Sequence, residues 1–85
     1  MSADKELRSG PAFDVELDVR QLACPLPILR TKKSLSQMNS AAVLHIIATD
    51  PGSIKDFEMF CRQTGNELLS SEEKNGEYCF LIRRR

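Results

Sequence analysis

The 85-residue sequence has no tryptophan, a single histidine at position 45 and a single tyrosine at position 78. It has no C-x-x-C pair, so with one histidine the ligands of a structural zinc site are missing. Its three cysteines, at 24, 61 and 79, are odd in number and widely spaced, which argues against a disulfide framework and for free thiols in a reducing compartment. There is no excess of either charge: 12 Lys and Arg balance 12 Asp and Glu. Broad phosphate contact needs surplus positive charge, so no direct nucleic-acid binding is expected. No apolar run approaches the ~20 residues that cross a bilayer. Met1 to Gly10 mixes Asp4, Lys5, Glu6 and Arg8 with small residues and lacks a signal-peptide pattern. A cytoplasmic protein without membrane contact, metal or cofactor is the expectation.

What is present is patterned. Residues 1–12, ending in Gly10-Pro11, read as a flexible leader, and residues 13–85 as a single domain. From Phe13 to Arg20 apolar residues alternate, with Val15, Leu17 and Val19 on one side, which marks a strand with one buried face. Pro25 then opens a helix expected to run to about Met38, and Pro27 is tolerated in its first turn. Ala42 to Thr49 forms a second strand, with Leu44, Ile46 and Ala48 facing one way and Val43, His45 and Ile47 the other. Asp50-Pro51-Gly52-Ser53 turns the chain into a second helix with Ile54, Phe57 and Cys61 on one stripe. Ser53 and Asp56 have the spacing of a capping box. Gly65 is placed to end that helix in a left-handed conformation. Two more strands, Glu67 to Glu73 and Glu77 to Arg83, flank Asn75-Gly76, a strong hairpin signal. The order β-α-β-α-β-β, with right-handed crossovers, predicts an α+β fold: a two-layer α/β sandwich, a four-stranded mixed sheet with two helices on one face.

The residue with chemistry to offer is Cys24. It stands just before a proline-started helix, at the expected N-cap, where unpaired N–H groups and the helix dipole favour an anion. A thiolate or persulfide anion there should be stabilised, and the thiol should be more acidic than a free cysteine. Pro25 and Pro27 have no N–H, which leaves Leu26, and Ile28 beyond it, as donors. Parallel first and second strands would bring Arg20, Cys24, Asp50 and Ser53 to one rim. His45 belongs to the middle of a strand on the other face, so a Cys–His dyad is not expected. Cys61 reads as core by its spacing, and Cys79 as a strand residue without activating neighbours.

Leu17-Asp18, Leu22-Ala23-Cys24-Pro25-Leu26-Pro27, Lys32 or Lys33, and Leu35 together resemble the TusA (SirA-like) family of sulfur carriers, whose signature is a C-P-x-P box opening the first helix. The resemblance continues through Ala48-Thr49-Asp50-Pro51, Phe60-Cys61, Glu67-Leu68 and Tyr78 to Arg83. It implies that Cys24 carries sulfur as a transient persulfide, accepted from a cysteine desulfurase or similar donor. It implies a downstream sulfur-accepting protein in tRNA thiolation, molybdenum-cofactor assembly or other sulfur metabolism, and a carrier role more than a turnover enzyme. The sequence departs from the family at Gln21, where glycine is usual. A positive φ there would strain Gln21. Asp50 and Ser53 either cap the second helix or support docking. Arg30, Lys32 and Lys33 form a basic stretch that is either solvated charge or a contact for acidic partner surfaces. A thiol redox protein and a regulatory interaction module remain the alternatives.

Overall fold

In the computed structural model, residues 13–85 are described, and the leader expected over residues 1–12 lies outside them. The elements follow the expected order: β1 (Val15–Val19), α1 (Leu26–Ser36), β2 (Val43–Ala48), α2 (Ser53–Thr64), β3 (Glu67–Lys74) and β4 (Glu77–Arg83). They build a four-stranded sheet in the order β1-β2-β4-β3. β1 runs parallel to β2, and the two remaining pairings are antiparallel.

Alternation decides which face of the sheet is covered. Leu44, Ile46 and Ala48 of β2 are fully buried, as are Phe80 and Ile82 of β4. They form one cluster with Val19 of β1, Leu35 of α1, and Phe57, Phe60 and Cys61 of α2, so both helices cover the same face. The rings of Phe57 and Phe80 meet at a centroid distance of 4.6 Å at the centre of the layer. Thr31, fully buried in α1, donates its hydroxyl to the Pro27 carbonyl at 2.8 Å and so keeps its polar atom satisfied within the helix.

Three local expectations change. Among the described residues β1 is an edge strand with a neighbour on one side only, and of its apolar row only Val19 is fully buried, while Val15 is exposed and Leu17 half-buried. α1 stops at Ser36, short of Met38, because Gln37 and Met38 donate to the carbonyls three residues back and tighten the last turn. The capping box does not form: Gly52 is the N-cap of α2, Ser53 is already helical, and no side chain caps that end. The Ser53 hydroxyl is buried without a hydrogen-bond partner.

The turns behave as their residues require. Gly65 ends α2 at φ 82° and donates to the Cys61 carbonyl. Asn75 and Gly76 both have positive φ, which suits the twist of a two-residue hairpin. β3 pairs with β4 through a bulge that leaves Leu69 without a partner between Leu68 and Ser70.

Candidate functional site

Parallel pairing of β1 with β2, from Val15 opposite Leu44 to Val19 opposite Ala48, brings the C-terminal ends of both strands to one rim. Beyond β1 the chain turns sharply. Leu22 donates to the Val19 carbonyl, and Gln21 adopts φ 67° while its N–H donates to Thr49 Oγ1 at 2.8 Å. Leu22 packs against the core, and Cys24 emerges exposed. Pro27, two residues into α1, is buried and anchors the turn from the other side. The sulfur therefore stands on a short segment held at both ends.

Cys24 is not the N-cap. Pro25 takes that position, with φ −99° and ψ 14°, and α1 begins at Leu26. Proline contributes no N–H, and the Leu26 N–H is already donated to the Ala23 carbonyl at 2.9 Å. The expected stabilisation of a thiolate by Leu26 is thus absent, because that donor closes the turn before the helix instead.

The group that does reach the thiol comes from α2. Asp56 lines the same groove as Cys24, and its carboxylate beside the thiol, with partial desolvation and the negative charge of Asp50, raises the Cys24 thiol above its ordinary value. This reverses the expectation of a more acidic thiol. Asp56 sits in the first turn of α2, and a β-carbon placed on Gly52 would lie 3.7 Å from Asp50 Oδ2 and 3.8 Å from Asp56 Oδ2. Two carboxylates therefore occupy the end of α2 nearest the sulfur.

Cys24 and Asp56 line one groove between the helices, of about 260 Å³, with Ile28, Lys32 and Met59. Through Lys32, Phe60 and Thr64 it adjoins a second cavity of about 440 Å³, which Arg84 and Arg85 also line.

The remaining candidates divide. Lys32 reaches the groove, whereas Arg30 and Lys33 are exposed on α1 and do not line it. Arg20 is turned to the sheet, bound to Asp18 at 2.9 Å and to Glu77 at 3.3 Å. Its guanidinium holds the Asp18 carboxyl down at about 2. Asp50 shares the rim with Cys24 through its charge, while Ser53 is buried beneath it. His45 sits on the uncovered face, where it pairs with Glu16 at 2.9 Å and stacks on Phe13, and it does not line the groove that holds Cys24. Cys61 is buried in the core and Cys79 half-buried, and all three cysteines are free. Among the described residues, no group of three His, Cys, Asp or Glu side chains could hold a metal ion, and no helix is long and apolar enough to cross a membrane.

A sequence profile of the family described as Sulfurtransferase TusA matches residues 15–84. The chain belongs to the TusA family. It is similar to the sulfur carrier protein TusA of Allochromatium vinosum, with 61% identity over 72 residues, covering 85% of this chain and 95% of that one. The sulfur carrier protein TusA of Pseudomonas entomophila is 38% identical over 72 residues, covering 85% of this chain and 90% of its own. The fold of a SirA-like protein from Desulfitobacterium hafniense superposes with a TM-score of 0.74 at 24% identity, covering 82% of this chain and 96% of that one. The TusA fold is thus the frame on which Cys24, Asp50 and Asp56 converge. Sequence reasoning missed Asp56, treating it only as a partner for Ser53. The signal was available: it lies in the first turn of a helix whose start shares a rim with Cys24.

Proposed function

We propose that this TusA-family protein is a sulfur carrier, with Cys24 as the atom that bears the load. The observation that carries the reading is the exposure of Cys24 at the rim, on a turn anchored by Leu22 and Pro27, while Cys61 is buried and Cys79 lies in a strand. The relatives named sulfur carriers support the role. Loading is an exchange, Cys24–SH + R–S–SH → Cys24–S–SH + R–SH. The Cys24 sulfur attacks the terminal sulfur of the donor, the donor's S–S bond breaks, its electron pair stays on the inner donor sulfur, and the Cys24 proton passes to that sulfur. No net oxidation occurs and no cofactor is consumed.

The donor is a persulfide-bearing protein such as a cysteine desulfurase, and the acceptor a second protein in the same reducing cytoplasm. Candidate destinations are tRNA thiolation and molybdenum-cofactor assembly. Exposed Leu26, Leu29 and Met59 offer apolar contact on the two helices, and Arg30, Lys32 and Lys33 offer charge for acidic partner surfaces. A redox reading would need a second thiol for Cys24, and the other two are built into the core and the sheet.

The test is intact mass after incubation with a cysteine desulfurase and cysteine, without reductant. Wild type should gain sulfur and Cys24→Ser should gain none. Absence of added mass on wild type, or equal addition to the variant, defeats the reading.

A further inference from the structure

A relay carrier must not only take sulfur but let it go, and the groups around Cys24 bear on that balance. The charged residues facing it are Asp56 from α2, Asp50 from the turn after β2, and Lys32 farther along α1. Arg20, on the preceding loop, is occupied by Asp18 and Glu77. Asp56 thus lines the groove with the sulfur, Asp50 stands beside Asp56 at the start of α2, and one ammonium lies farther down the groove. Ile28 and Met59 also line the groove, which is open to solvent at Cys24 and Met59, so the effect of the carboxylates on the sulfur is of moderate size.

We propose that Asp56, with Asp50 behind it, biases Cys24 toward handing its sulfur on, by favouring the emptied thiol over the loaded persulfide anion. The inference rests on the sulfur-carrier reading and adds a charge-setting residue to it. A persulfide is a stronger acid than its parent thiol, so the loaded side chain is the anionic one near neutral pH. Beside Asp56 and Asp50 that anion is disfavoured. The emptied thiol is neutral and carries no charge for Asp56, which lines the same groove, to repel. In hand-off, the persulfide is protonated, the acceptor thiolate attacks the terminal sulfur of Cys24–S–SH, and the S–S bond breaks. The bonding pair remains on the Cys24 sulfur, which takes up the proton of the more acidic new persulfide, and the acceptor leaves as R–S–S⁻. The sulfur moves without net redox change.

The experiment uses the full chain as wild type, Asp56→Asn, Asp56→Glu and Asp50→Asn. It measures the pH profile of iodoacetamide reaction on unloaded Cys24, and the equilibrium distribution of sulfur between Cys24 and glutathione. Asp56→Asn should move the alkylation midpoint to lower pH and raise retention of sulfur on Cys24 about three- to tenfold. Asp56→Glu should stay near wild type, and Asp50→Asn should shift both readouts the same way by less. A midpoint and a distribution unchanged in Asp56→Asn overturn the proposal. If circular dichroism shows that variant unfolded, Asp50→Asn decides by the same two readouts. Wild type that accepts no sulfur at all would instead defeat the carrier reading, and the alkylation profile would still report the charge effect.

Discussion

The backbone N–H of Gln21 donates to Thr49 Oγ1 at 2.8 Å, tying the loop that carries Cys24 to the end of β2. The bond requires Gln21 to hold φ 67°, a left-handed conformation that costs a non-glycine residue about 1 kcal/mol. The pose of the sulfur is therefore held against local strain by a side chain 28 residues away.

Gln21→Gly should relieve that strain and stabilise the fold by up to about 1 kcal/mol. Thr49→Val removes the acceptor and should cost about 1 kcal/mol. Urea denaturation reads both, as midpoint shifts at constant slope.

Ser53→Ala separates two views of the α2 start. A capping serine would lose about 1 kcal/mol on truncation. The Ser53 hydroxyl is instead buried without a partner, so its removal should leave stability unchanged or raise it by about 1 kcal/mol. A destabilised Ser53→Ala would show that the hydroxyl is satisfied.

Cys61 should make the protein sensitive to alkali. Burial pushes its thiol from 9.0 to about 11, so the folded chain keeps a proton that the unfolded chain has lost. Its contribution is complete below about pH 9 and falls by about 2 kcal/mol as pH rises through 11. Urea midpoints between these limits should fall more steeply in wild type than in Cys61→Ala. In native protein, alkylating reagents should label Cys24 well before Cys61.

Phe57→Ala should cost about 3–5 kcal/mol, since its fully buried ring packs on Phe80 between α2 and the sheet. Thermal unfolding would register the loss. A change below about 1 kcal/mol would mean that the helix layer collapses to refill the space.

Much of this architecture is legible in residue order because periodicity reports burial directly. Leu44, Ile46 and Ala48 alternate and are all buried, and Gly65 and Asn75-Gly76 mark their turns by the φ values they accept. Cys24 stands out in the same way, as a thiol beside two helix-starting prolines. Its electrostatics do not, because they depend on the partner each N–H and carboxylate finds in three dimensions. The Leu26 N–H goes to Ala23, and Asp56 comes from a helix 32 residues along the chain. Spacing alone assigns Asp56 to Ser53, since a capping pair is local and a meeting with Cys24 is not.

The far side of the sheet ends in β3, whose outer flank has no strand beside it among the described residues. Its bulge at Leu69 breaks the regular comb of amides, and the run Glu72-Glu73-Lys74 places charge along the rest. Such a border resists zipping onto another strand. In concentrated solution, pairing of two molecules through β3 is thereby discouraged.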